Sequence, residues 1–117
     1  MNYVNSSVMN DNCNQQTLKR KVHFSGVGVH NGRAVSMVIE PAQIDTGIVF
    51  QRIDLNENNT IKAIINNVVD SSLCTKIKNN NGVYVSTIEH LMAAFSALNI
   101  DNALVKINSS ELPCIRW

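Results

Sequence analysis

The sequence predicts an α+β domain in which one helix covers a face of a β-sheet. β-Branched and polar residues alternate over most of the chain, the spacing becomes helical from Ser86, and another strand-like stretch follows. The 117 residues, of which 44% are hydrophobic, fit one globular domain. No internal repeat and no Pro-rich or Gly/Ser-rich linker divides them.

The amino-terminal segment, residues 1–16, is rich in Asn, Ser and Gln. It offers too little apolar surface to offset the entropy of ordering, so we expect a disordered extension. We assign residues 17–113 to the domain and residues 114–117 to a divergent tail.

Strand patterns fill the chain from residue 17 to the helix. Residues 17–41 alternate around a glycine-rich bend, which predicts two strands joined by a turn, and residues 46–54 predict a third strand. Residues 61–69 predict an irregular connection. Residues 73–77 and 83–85 flank an Asn-Asn-Asn-Gly turn, whose residues tolerate positive φ, and therefore predict a hairpin.

One amphipathic helix is predicted to begin near Ser86 and to end near Asn99. Its apolar residues recur at spacings of three and four and share one stripe: Ile88, Leu91, Met92, Phe95 and Leu98. Residues 101–107 then predict a returning strand.

Charge and cysteine content narrow the class of protein. A formal net charge of +1 gives no long-range field that attracts phosphates, so nucleic acid is not an expected partner. The three cysteines, Cys13, Cys74 and Cys114, form no C-x-x-C pair, and reduced thiols in a cytoplasmic protein fit best. We also expect no transmembrane segment and no signal peptide, since no apolar run approaches ~20 residues.

Glu89 and His90 allow two interpretations each. Ser86 and Glu89 match the S-x-x-E capping box, yet Glu89 next to a metal ligand also suits a general base. His90 suits a half-buried ring bonded to a carbonyl, or a metal ligand kept neutral by the positive end of the helix dipole. A catalytic zinc needs about three protein ligands, and the spacing of the histidines supplies no second one.

The remaining histidines lie in the predicted strands and turn. His23 follows an alternating pattern and is expected at the surface of a sheet, whereas His30 lies at the glycine-rich bend, where a structural role and a functional role both remain open. Gly26-x-Gly28 lacks the third glycine of a dinucleotide-binding loop and the Lys-Ser/Thr of a P-loop, so we reject both.

Four stretches together resemble the amino-terminal part of the UDP-3-O-acyl-N-acetylglucosamine deacetylase family. They are TLKRKVHFSGVGVHNGR, EPAQIDTGIVFQRIDL, SLCTKI with VSTIEHLMAAFSALNIDNALVKIN, and SELP. The resemblance implies a zinc-dependent hydrolase of linear amides that deacetylates its UDP-linked substrate in lipid A and lipopolysaccharide biosynthesis. It also implies a monomer of two β-α-α-β domains packed face to face.

Matched to that family, individual residues acquire expected roles. The resemblance implies that Glu89 is the general base and His90 a zinc ligand. It implies substrate contact for the loop of Leu73, Cys74 and Thr75, and a position near the site for His30.

The chain departs from the family pattern after Pro113. The resemblance then implies a first domain truncated before its second helix, with the other zinc ligands expected in a second domain. We therefore expect the chain alone to be inactive as an amidase. The alternative is a non-catalytic fragment, a binding remnant, or half of a split enzyme whose second half is encoded separately.

Overall fold

The computed structural model describes the backbone of residues 3–5 and the whole of residues 14–69, 71 and 73–114. The strands are β1 (Tyr3–Asn5), β2 (Gln16–Leu18), β3 (Val22–Val27), β4 (Ala34–Pro41), β5 (Ile48–Arg52), β6 (Thr60–Lys62), β7 (Val68–Val69), β8 (Lys76–Lys78), β9 (Tyr84–Ser86) and β10 (Ala103–Ile107). The α-helix is α1 (Glu89–Ala97), and a short 3-10 helix covers Ile65–Asn67. The α+β class is confirmed; the β-α-α-β layout stays a prediction.

The main sheet has five strands in the order β3-β4-β10-β5-β6. The returning strand β10 lies at its centre, where Val105 pairs with Ile39 in antiparallel β4 and with Phe50 in parallel β5. Alternate residues of β10 are fully buried, as expected for a central strand with one face on the core. The predicted strands at 17–41, 46–54 and 101–107 are thus confirmed.

A second sheet, β7-β8-β9, contains the predicted hairpin. β8 and β9 are joined by a turn in which the Asn79 amide donates to Val83 O at 2.9 Å and Gly82 adopts a φ of 84°. The paired strands begin later than the apolar pattern, because Leu73, Cys74 and Thr75 form a loop before β8. That loop belongs to the candidate site.

Helix α1 joins both sheets in one core. Its stripe is confirmed: Leu91 and Phe95 are each 1% exposed, Ile88 is buried just before the helix, and Met92 and Leu98 pack at the edge of the core. Burying each large apolar side chain contributes roughly 1.5–3 kcal/mol. This burial fixes which helix face points away from the core, and therefore where His90 lies.

The helix ends as the sequence predicts. Asn99 adopts a φ of 57°, its amide donates to Ser96 O, and the Ile100 amide donates to Phe95 O at 2.8 Å. These are the two bonds of a Schellman motif, in which a residue in the left-handed region satisfies the last carbonyls. Ile100 is buried and directs the chain into β10.

The amino-terminal segment is described only in part, so its expected disorder stays a prediction. Tyr3–Asn5 pairs with β2, and within the predicted extension Gln15 and Gln16 hydrogen-bond to Asp45 and Asp101. Backbone pairing and amide side chains satisfy the polar groups of Tyr3–Asn5, Gln15 and Gln16. Residues 1–2 and 6–13, and residues 115–117 of the predicted tail, lie outside the described residues.

Within residues 14–69, 71 and 73–114, no helix is both long and apolar enough to cross a bilayer.

Candidate functional site

The start of α1 is built differently from the predicted capping box. Ser86 ends strand β9, and its hydroxyl donates to Ser110 O at 3.3 Å, while the helix begins without any side-chain cap. Thr87 follows in the left-handed region with a φ of 62°, a conformation that costs a β-branched residue roughly 1–3 kcal/mol. The capping box is therefore wrong, because one strained residue separates the strand from the helical turn.

Glu89 binds the neighbouring loop. Its Oε1 accepts a hydrogen bond from the Thr75 amide at 3.2 Å, and the side chain is half-buried. The carboxylate thus points across to the loop of Leu73, Cys74 and Thr75. Two regions of the sequence-predicted site are brought together here.

His90 is exposed on the first turn of α1. It borders a small pocket that also contains Val29, Thr87 and Pro113. On its other side, His90 borders an apolar face of the helix. This face consists of Ala93, Ala94, Ala97 and Leu98. Because the His90 imidazole is exposed, it fits the interpretation as a metal ligand better than the interpretation as a half-buried ring bonded to a carbonyl.

The donors do not complete a metal site by themselves. In the part of the chain that the structure describes, no group of three His, Cys, Asp or Glu side chains is close enough to hold an ion. Since a catalytic zinc needs about three protein ligands, His90 fits as one ligand only. His23 is exposed on β3, confirming its predicted surface position.

His30 lies in a separate groove with the loop. Its side chain is 41% exposed and lines this groove together with Leu73 and Cys74. Leu73 is itself 76% exposed. The structure therefore places the predicted near-site histidine beside the predicted substrate loop, whereas His90 faces a different pocket.

Glu111 is the site residue that the sequence reasoning missed. It is 2% exposed, and its carboxylate accepts hydrogen bonds from the His30 amide, the Asn31 amide, the Thr87 hydroxyl and the His30 imidazole. The last two contacts are 2.8 Å and 2.5 Å long and both reach Oε2. One carboxylate thus connects the glycine-rich turn to the strained residue that precedes α1.

These donors also keep Glu111 ionised. Burial alone raises the pKa of the carboxyl, but the Asn31 amide, the His30 ring, the Thr87 hydroxyl and the His30 amide together outweigh it and lower the pKa from 4.5 to about 2. Because an ionised carboxylate only accepts hydrogen bonds, the His30 ring must donate from Nδ1.

The two glycines of the rejected nucleotide-binding motif make room for this arrangement. A Cβ on Gly28 would lie 2.6 Å from Glu111 Oε1, and one on Gly26 would lie 3.0 Å from the Pro113 side chain. Both contacts involve the segment after β10, which pairs back through the Gly28–Pro113 bridge. In the sequence, the two glycines and the Glu-Leu-Pro stretch are the features that could point to Glu111. Only the fold shows that these two segments are in contact.

Comparison with known proteins assigns the family. The family model for UDP-3-O-acyl N-acetylglycosamine deacetylase matches residues 15–116. Deacetylases named UDP-3-O-acyl-N-acetylglucosamine deacetylase from Geotalea uraniireducens, Tolumonas auensis and Wigglesworthia glossinidia brevipalpis are 52%, 46% and 40% identical over 85% of the chain. The chain covers 32%, 32% and 33% of their lengths, about one third in each case. The chain therefore belongs to the UDP-3-O-acyl N-acetylglycosamine deacetylase family.

Proposed function

We propose that this chain supplies part of the active site of a hydrolase that deacetylates UDP-3-O-acyl-N-acetylglucosamine in lipid A synthesis. One observation carries the proposal: within a chain matched to the family over residues 15–116, the Ser-Thr-Ile-Glu-His stretch leads from β9 into α1, whose first two residues are Glu89 and His90. The products are acetate and a free amine. A cytoplasmic location is part of the same proposal.

Glu89 is the general base in this proposal. The Thr75 amide engages Oε1, which leaves Oε2 to take a proton from the attacking water. The same hydrogen bond holds the loop close to the base, so that substrate lying along Leu73 and Cys74 is close to Glu89. General-base catalysis of this kind contributes about 10²–10⁴ in rate.

His90 contributes one imidazole ligand to a zinc ion. When bound, zinc polarises the amide carbonyl and acidifies its water. Because the described residues hold no group of three donors, the remaining ligands come from outside them.

The test combines this chain with the portion of the Geotalea relative that it does not match, produced as a separate polypeptide. Acetate release from UDP-3-O-acyl-N-acetylglucosamine is measured with and without zinc. We expect release only in the zinc-loaded mixture, with loss on His90→Ala and retention on His23→Ala, the exposed histidine of β3. No release from the mixture or from a direct fusion, or equal release with His90→Ala, contradicts the proposal.

The alternatives are a non-catalytic fragment, a binding remnant, or half of a split enzyme. One observation favours them: in residues 14–69, 71 and 73–114 no group of three His, Cys, Asp or Glu side chains is close enough to hold a metal ion. Zinc titration of the chain alone and of the mixture separates the alternatives. A stoichiometric site in the mixture alone supports a split enzyme, whereas no site in either supports a binding remnant.

A further inference from the structure

The groove around His30 has a polar lining that the proposed chemistry at Glu89 and His90 does not use. It contains Asn31, Ser86 and Ser110 beside the exposed Leu73. Lys76 and Tyr84 complete one wall, with the Lys76 ammonium 3.9 Å from the centre of the Tyr84 ring. Hydroxyl, amide and ammonium groups beside an apolar side chain suit a polyhydroxylated ligand such as a sugar, which has hydroxyls and apolar C–H faces.

Glu111 holds His30 in this groove. Its backbone amide donates to the carboxylate at 3.0 Å, and its Nδ1 contacts Oε2 at 2.5 Å. The Thr87 hydroxyl also donates to Glu111 Oε2. Because its hydrogen is used there, Thr87 Oγ1 can only accept a hydrogen bond from His30 Nδ1, which lies 3.4 Å away. Both neighbours of Nδ1 therefore require a proton on that nitrogen.

This arrangement determines the other ring nitrogen. When the ring is neutral, a proton on Nδ1 leaves Nε2 with a lone pair. In the part of the chain that the structure describes, no residue hydrogen-bonds to Nε2, and the ring is exposed in the groove. Nε2 is thus available to a ligand.

We propose that Glu111 is a positioning residue, which holds His30 with its proton on Nδ1 so that Nε2 accepts a hydrogen bond from a sugar hydroxyl in the groove. The identity of the sugar as the glucosamine of the substrate rests on the proposed function; the tautomer and the orientation do not. The Glu111 carboxylate also accepts a hydrogen bond from Thr87, which lies just before α1. Glu111 therefore contacts both the groove and the segment that leads to Glu89.

The first test is imidazole ¹⁵N NMR of the whole chain, at a pH at which every ring has finished titrating to its neutral form. We expect His30 to be a single Nδ1–H tautomer, whereas the exposed His23 shows the mixture of a free imidazole. In Glu111→Gln, whose amide can accept or donate, His30 should lose the single tautomer while His23 stays unchanged. A predominant Nε2–H tautomer in the wild-type chain overturns the proposal, and this measurement remains valid even where Glu111→Gln does not fold.

The second test uses UDP-N-acetylglucosamine as the probe and UDP as its control. We expect UDP-N-acetylglucosamine, and not UDP, to shift the Nε2 signal of His30 while the His23 signals remain in place. An equal shift with UDP, or no shift at the highest soluble concentration, contradicts the sugar contact. Acetate release plays no part in either measurement, so failure here is distinct from failure of the amidase proposal.

Discussion

Replacing Glu111 by glutamine tests the energetic role of the buried carboxylate. Glutamine keeps the shape but removes the charge that four donors from His30, Asn31 and Thr87 share. A pKa lowered from 4.5 to about 2 corresponds to roughly 3 kcal/mol of preference for the ionised form in the folded state. We expect Glu111→Gln to lose about this much free energy of unfolding at neutral pH.

The lowered pKa of Glu111 also makes the free energy of unfolding depend on pH. Since the folded-state pKa lies below the unfolded one, the stabilisation by Glu111 is complete above pH 4.5 and is lost as the pH falls to about 2. The wild-type chain should therefore lose stability across this interval. The difference between wild type and Glu111→Gln should shrink over the same interval.

Urea unfolding followed by circular dichroism at neutral pH, and at steps between pH 4.5 and 2, measures both effects. Glu57→Gln, at an exposed position, is the matched control and should change the free energy of unfolding by less than about 0.5 kcal/mol. A Glu111→Gln variant that is as stable as wild type, or a stability difference that does not depend on pH, contradicts the stabilising role of the Glu111 carboxylate.

Three further substitutions test the packing around the site. Gly28→Ala should cost about 1–3 kcal/mol in urea unfolding, because the new Cβ would lie 2.3 Å from Asn31 Oδ1 and 2.6 Å from Glu111 Oε1; wild-type stability would mean that these side chains move away at little cost. Phe95→Ala should cost about 3–5 kcal/mol, since this ring is 1% exposed in the core, and a loss below 1 kcal/mol would place the ring outside the core. Lys106→Ala should cost less than about 1 kcal/mol, because the Lys106–Glu40 ion pair is partly exposed; a larger loss contradicts that assignment.

Periodicity was sufficient for the elements that depend on local pattern. The stripe of α1 was predicted because spacings of three and four have one helical interpretation. The strand at 101–107 was recognised as a strand, but its place between β4 and β5 was not, since pairing order depends on contacts across the chain. The apolar pattern also predicts a strand from residue 73, whereas β8 begins at Lys76 and the residues before it form the loop that contacts Glu89.

A short motif can indicate candidate site residues, whereas contacts that the fold assembles cannot be read from the sequence. Glu89 and His90 are adjacent in sequence, so one motif indicates both as candidates, and their catalytic roles stay predictions. The Glu111 contacts join residues 80 and 81 positions apart, and no local pattern indicates that pairing. The capping box is absent for a related reason. A sheet contact holds Ser86 in β9, and its amide donates to Ser110 O instead of to the Glu89 carboxylate.

Glu89 is the proposed general base of a deacetylase of this family. The most direct measurement is kcat/KM for deacetylation of UDP-3-O-acyl-N-acetylglucosamine by a fusion in which residues 17–113 replace the matched segment of the Geotalea relative, which is 52% identical. We predict that Glu89→Gln lowers kcat by about 10²–10⁴ with KM little changed, and that Glu57→Gln leaves both near the parent values. A Glu89→Gln fusion as active as its parent would contradict the assignment of Glu89 as the base.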